Sequence, residues 1–296
     1  MSTIIEARGL TKKFGSFTAV DDVDFTVEEN RIYGLLGRNG AGKTTIMQLL
    51  TGQDFASSGS VTVYGQSPVE NSRVLSNVSF IKESQKYPDS IRAKHVFAAA
   101  PNFYGNWNAE LAQQLIGEFR IPLNRDIKKL SRGQVSAVGV VVGLASRAPI
   151  TFFDEPYLGL DAVARQLFYD RLLEDYALFP RTVILSTHLI DEVSDLLEHV
   201  ILIDEGRILL DTPAEELRGS ASTVVGKRMD VAAFVSGREI IHSDGIGGLS
   251  SVTITGQLSP AERATAAHAG LELAPVSLQQ LIVRLSSHGN SEGTEL

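Results

Sequence analysis

The 296-residue chain contains no cysteine, a single tryptophan and only 7% aromatic residues. Without cysteine there is neither a disulfide framework nor a thiolate metal site, and secretion gains no support from the composition. Long apolar runs are missing too. The most apolar stretch, VSAVGVVVGLA from Val135 to Ala145, falls far short of the roughly 20 residues of a membrane-spanning helix and reads as a buried core helix. The N-terminal MSTIIEARGL lacks the apolar core of a signal peptide. A cytoplasmic location is therefore expected, and any work at a membrane would need another chain to supply the spans. Positive charge is in deficit, with 27 Lys and Arg against 35 Asp and Glu and a net charge of −8. That balance argues against a nucleic-acid-binding surface, so no nucleic-acid partner is expected.

What remains is an ordinary globular make-up, 43% hydrophobic and 21% charged, with length for one large domain and a small one. IIEAR and VDFTV, separated by the charged TKKFGS, alternate as antiparallel strands do, and VTVYG at 61–65 continues them. From Ile32 the pattern changes to buried strand, glycine loop and helix (Thr44 to Leu50). Further buried strands are expected at 150–153, 183–186 and 200–203, with helical patterns between them, as a mostly parallel sheet requires. From about 84 to 147 the runs IRAKHVFAAA and NAELAQQLIGEF mark a helical subdomain. Near Gly219 the character shifts again. Residues 219–288 read as a small α+β unit, with Ser259, Pro260 and Glu262 opening a helix that Gly270 ends, and 289–296 as a disordered tail.

Directly after the apolar IYGLL comes GRNGAGKTT, and Gly37, Gly42, Lys43 and Thr44 satisfy the phosphate-loop pattern. Glycines let backbone N–H groups turn onto phosphate oxygens, and the helix that follows aims its positive end at the same charge. Arg38, Asn39, Gly40, Ala41 and Thr45 complete the candidate ATP-binding loop. Lys43 would neutralise phosphates while the Thr44 hydroxyl sits on Mg²⁺. A second element, ITFFDEP, ends a strand in Asp154 and Glu155; beside a phosphate loop one acid can hold the metal and the other polarise a water. VILIDEG also ends in two acids, Asp204 and Glu205, but Gly206 and a new strand follow, so it reads as a hairpin turn without chemistry. LSRGQ at 130–134 begins another helix, with Ser131 and the Gly133 backbone at its start.

These three elements, together with GLD at 159–161 and STH at 186–188, resemble the ATP-binding subunit of ABC transporters from about residue 4 to 218. The resemblance implies a P-loop NTPase core carrying an antiparallel β subdomain and a helical subdomain, with the C-terminal α+β unit added. It implies that Phe14 stacks on adenine, and that Lys43, Thr44 and Thr45 hold phosphates and Mg²⁺. Asp154 becomes the Mg²⁺-associated acid, Glu155 the residue acting on the attacking water, and His188 the switch residue reaching the γ phosphate. Ser131, Gly133 and Gln134 would belong to the ATP site of an opposing subunit, which Asp161 contacts. One chain would then carry two half-sites, completed in a head-to-tail dimer.

The chain departs from the family pattern in several places. The position of the glutamine that touches Mg²⁺ falls at Glu83, with Gln85 as the alternative two residues on. Arg132 replaces a signature glycine, Tyr157 and Leu158 replace the usual T-S or T-N, and VSAVGVVVG replaces basic residues. An active ATPase is still expected, as a homodimer or a heterodimer. The flanking text resembles subunits that pair with separate six-helix permeases of the ABC-2 exporter type. A permease would dock through the groove near Glu83 to Asp89. The alternative is a soluble ABC ATPase acting on ribosomes or in antibiotic resistance, whose relatives usually carry two such domains per chain.

Overall fold

A computed structural model of the chain describes residues 2–83, 85–88 and 90–282, arranged as two compact units. The expected tail at 289–296 and the end of the C-terminal unit at 283–288 lie outside the described residues, as does Asp89 of the expected docking groove. The first unit comprises residues 1–188 and 196–211. It begins with β1 (Thr3–Phe14) and β2 (Phe17–Glu28), long antiparallel strands; β2 alternates from Val23 to Val27, whereas shifts of register in β1 bury Ile4 with Ile5 and Leu10 with Thr11. Next come β3 (Ile32–Leu36), α1 (Lys43–Leu50) and β4 (Ser58–Val63), the last pairing antiparallel with β1 to complete a three-stranded sheet, β2-β1-β4. The helical part follows a short α2 (Ser72–Leu75) and β5 (Val78–Lys82): α3 (Ala93–Ala99), α4 (Ala109–Glu118) and α5 (Arg132–Ser146). As the absence of a long apolar run implied, α5 is a core helix, buried from Ala137 to Ser146.

The chemistry rests on a six-stranded sheet. Its remaining strands are β6 (Ile150–Asp154), β7 (Thr182–Thr187), β8 (His199–Asp204) and β9 (Arg207–Pro213), with α6 (Ala162–Leu178) between β6 and β7. The order β5-β6-β7-β3-β8-β9 has parallel pairing from β5 through to β8. β3 and β6 are buried at every residue, which is why both read as continuous apolar runs rather than alternating ones. Glu205 and Gly206 both have positive φ and link β8 to its neighbour β9, the tight hairpin turn expected of VILIDEG.

The second unit takes residues 189–195 and the described residues from Thr212 onward. The boundary expected after residue 218 therefore falls at 211/212. The reason is local: α8 (Ala214–Leu217) buries Ala214 and Leu217, and Arg218 donates to the carbonyl of Ser194, 2.6 Å away, beside the short α7 (Ile190–Val193). β10 (Ala221–Lys227), α9 (Arg228–Val235), β11 (Ile240–Ile246), β12 (Leu249–Thr255), α10 (Pro260–His268) and β13 (Glu272–Pro275) follow. This βαββαβ sequence forms an antiparallel sheet of order β11-β12-β10-β13, a ferredoxin-like arrangement. Val224, Val231, Ile254 and Leu271 belong to its core. Ser259 caps α10 in a reciprocal box with Glu262, as expected, and hydrogen bonds from Ser259 and Arg238 hold the Glu262 carboxyl down at about 2.

Two glycines give opposite expectations for stability. At Gly143 in α5 a Cβ would meet the Phe153 ring at 2.4 Å, so Gly143→Ala should cost ~1–3 kcal/mol through overpacking. Gly117 in α4 faces open space, so Gly117→Ala should raise stability by ~0.5 kcal/mol. Thermal unfolding checks both: a lower Tm for the first and a slightly higher one for the second.

Candidate functional site

β3 lies between β7 and β8, so the loop leaving its end emerges at the middle of the sheet's carboxyl edge. The loop turns sharply. Gly37 has φ 154° and a Cβ there would lie 2.2 Å from the Ile203 carbonyl oxygen; Gly42 has φ 112° and a Cβ would lie 2.5 Å from that of Ala19. Only glycine meets both demands. Among the described residues no side chain caps α1, so its first-turn N–H groups remain available to an anion.

Lys43, the first residue of α1, is 6% exposed, and its Nζ donates to the carbonyls of Gly37 (2.7 Å) and Arg38 (3.1 Å). Burial lowers its pKa, while Glu155 and then Asp154 pull it back up. Thr44 Oγ1 donates to Asp154 Oδ2 at 2.7 Å, and Ser186 Oγ donates to Asp154 Oδ1 at 2.6 Å. The carboxylate is thus fixed between α1 and the neighbouring strand β7. Glu155 follows with φ 49°, and its Oε1 lies 3.5 Å from Lys43 Nζ. Its Oε2 accepts from the Tyr157 hydroxyl and sits 2.9 Å from His188 Nδ1. Positive φ at a non-glycine residue carries strain, which the hydrogen bonds around Glu155 sustain. Two elements of sequence far apart, STH and FFDEP, meet because β6 and β7 are adjacent and in register, with Asp154 opposite Ser186.

A cavity of about 430 Å³ opens here, lined by Asn39, Gly40, Lys43, Thr44, Thr45, Glu83 and Glu155. Phe14 and Phe17 form its far wall. They are cross-strand partners at the β1–β2 turn and are 50% and 61% exposed, so Phe14 is not a core residue. Phe17 was not singled out from the sequence, although the spacing FGSF at a hairpin turn brings both rings to one end. Ala41 packs in the hydrophobic core instead of lining the cavity. A slightly larger cavity, about 500 Å³ beside Arg147, Phe179 and Arg181, contains none of the motif residues. Size does not identify the site; the chemistry does.

The Glu83 N–H donates to the Asp154 carbonyl at 3.0 Å, extending the β5–β6 pairing by one residue, and its side chain lines the cavity. Gln85 does not. Glu83 is also ion-paired with Arg132, so two departures from the family pattern meet each other. Thr44, Asp154 and Glu83 offer hydroxyl and carboxylate oxygens, a donor set suited to Mg²⁺. Among the described residues no cluster of three or more His, Asp or Glu could hold a metal ion by itself.

The remaining candidates gather elsewhere. Ser131 is the N-cap of α5: its Oγ accepts from the Gln134 N–H at 3.2 Å, and Gln134 Oε1 accepts from the Ser131 N–H at 3.1 Å. Asp161 caps α6 through the Ala164 N–H at 2.8 Å. The two helix starts abut, since a Cβ on Gly133 would lie 2.4 Å from the Gly159 carbonyl oxygen, and Ser136 Oγ donates to the Leu158 carbonyl at 2.6 Å. None of Ser131, Gly133, Gln134 and Asp161 lines the cavity of Lys43.

Residues 20–158 match the family model of the ABC transporter. The bacitracin transport ATP-binding protein BcrA of Bacillus licheniformis is 30% identical over 227 residues, covering 74% of this chain and 72% of its own. The Nod factor export ATP-binding protein I of Cupriavidus metallidurans is 28% identical over 223 residues, 73% of each chain. Among solved structures, an ATP-binding subunit of an ABC transporter shares the fold with a TM-score of 0.65, at 24% identity, over 73% of this chain and 92% of that one. The phosphate loop, the acids at the tip of β6 and these relationships together make the chain a member of the ABC transporter ATP-binding proteins, with the ATPase domain of that family.

Proposed function

We propose that the chain is the ATP-hydrolysing subunit of a membrane exporter and works as one half of a head-to-tail pair of nucleotide-binding domains. The observation that carries this reading is the division of the motif residues into two groups. Lys43, Thr44 and Glu155 line one cavity, with Asp154 and His188 hydrogen-bonded to its wall. Ser131, Gly133, Gln134 and Asp161 share a second surface at the starts of α5 and α6. Phosphate-loop and signature residues of one chain would then serve two different ATP molecules, each completed by a second subunit.

Within the cavity, Phe14 and Phe17 offer faces for the adenine ring. Lys43 neutralises the β and γ phosphates, and Thr44, Asp154 and Glu83 hold Mg²⁺. Mg²⁺, when bound, supplies charge neutralisation of the phosphates. Glu155 takes the proton of the attacking water, and His188 reaches the γ phosphate. ATP favours the closed pair and hydrolysis releases it, a ligand-driven population shift. No helix among the described residues is long and apolar enough to cross a membrane. In this reading the transport path belongs to a separate permease, and the chain sits at the cytoplasmic face, docked near Glu83. The names of the bacitracin and Nod factor relatives, one of transport and one of export, support that direction.

Glu155→Gln should leave ATP binding intact, cut turnover by roughly 10²- to 10⁴-fold and trap the paired form; turnover at the wild-type rate would reject Glu155 as the base. Glu83→Gln should retain or raise Mg²⁺-dependent hydrolysis, whereas loss of hydrolysis on changing Gln85 alone would move the metal position there. Recovery of the chain with a multi-span membrane protein is expected on co-purification. Recovery with ribosomes and no membrane protein would favour the non-transport alternative.

A further inference from the structure

Two residues beyond Glu155, Tyr157 replaces the small hydroxyl residue of the family pattern, and the structure buries it to 2% exposure. A phenol carries one hydrogen and two acceptor positions. Two donors point at this one, Thr187 Oγ1 at 2.9 Å and the His188 N–H at 3.2 Å, and the His188 ring Nδ1 also lies 3.2 Å from it. With those two donors accepted, the phenol hydrogen goes to Glu155 Oε2, which is nearer than His188 Nδ1 and carries the negative charge. Burial, and then the hydrogen bond to Glu155, push the phenol far above its ordinary range. It keeps its proton and stays a donor.

The two oxygens of Glu155 are consequently unlike. Oε2 receives the phenol and faces His188 Nδ1 at 2.9 Å. Oε1 has no hydrogen-bond partner among the described residues, although the Lys43 ammonium is 3.5 Å away. Buried carboxylate oxygens are rarely left this way without a use. A threonine hydroxyl, carried on Cβ, falls far short of the position that the end of the tyrosine ring occupies.

We propose that Tyr157 is a positioning residue for hydrolysis: one hydroxyl holds Glu155 Oε2 and the His188 backbone, leaving Oε1 to take the proton of the attacking water. The inference rests on Glu155 being the base, as proposed above. In the step it serves, a water O–H bond breaks and its proton passes to Oε1. The water oxygen bonds to the terminal phosphorus, and the bond from that phosphorus to the bridging oxygen breaks with its electron pair leaving on ADP.

The test is Tyr157→Phe in the full chain, alone and combined with Glu155→Gln, under conditions where the unaltered chain turns over MgATP. Tyr157→Phe should lower kcat by about tenfold or more, the scale of losing one hydrogen bond to a charged group, and leave KM for ATP within about twofold. In the Glu155→Gln background it should change the residual rate by less than about twofold, because the two residues act as a unit. Thr187→Val, which keeps the phenol and removes one of its donors, should lower kcat in the same direction by less, and it serves if Tyr157→Phe lowers Tm enough to obscure its kinetics. An unchanged kcat in Tyr157→Phe and Thr187→Val would overturn the proposal. So would a rise in KM at constant kcat, or an equal loss with and without Glu155. Wild-type turnover in Glu155→Gln alone would instead overturn the assignment of the base.

Discussion

The site depends on burying two carboxylates side by side at the tip of one strand. Asp154 and Glu155 are 5% and 8% exposed, and buried charge of one sign is costly unless every oxygen meets a donor or a cation. Thr44 and Ser186 satisfy Asp154; Lys43, Tyr157 and His188 surround Glu155. Lys43 is itself buried, and the carboxylates offset part of the loss of its hydration. Loop, strand tip and His188 are therefore tied to one another by the Lys43 charge and by hydrogen bonds through Glu155.

The sheet makes this possible. With β6, β7 and β3 parallel and adjacent, their carboxyl ends deliver Asp154, Ser186 and the phosphate loop to one edge, the edge where open α/β sheets bind ligands. The flanking antiparallel sheet contributes Phe14 and Phe17 from a hairpin tip, and β5 contributes Glu83. Each supplies a different wall of one cavity. The starts of α5 and α6 lie outside it: Ser131, Gln134 and Asp161 satisfy local backbone groups and line no part of the cavity of Lys43.

Local chemistry was readable in the sequence. The glycines at 37 and 42, the apolar strands around Asp154 and the capping box at Ser259 depend on residues a few positions apart, so spacing alone exposes them. The small C-terminal unit was legible as α+β, but not as a ferredoxin-like sheet, because strand order depends on pairings between distant segments. The same limit hid the Glu83–Arg132 ion pair, which joins residues 49 apart. Tyr157 was visible only as a departure from the family pattern. Its meaning required Thr187 and His188, 30 and 31 residues on, to be brought back to it by β7. The domain boundary moved to 211/212 because burial of Leu217 and a bond from Arg218 to Ser194 outweigh any change in composition near Gly219.

In the proposed reading the Lys43 cavity is half of an ATP site whose other half comes from a second subunit. That division is tested most directly by the structure of the full chain carrying Glu155→Gln with ATP and Mg²⁺. The predicted result is a triphosphate on the loop at 37–45, closed over by the signature residues of a second subunit. A triphosphate enclosed by Ser131 and Gln134 of the same chain, or bound beside Arg147 and Arg181 instead, would contradict it.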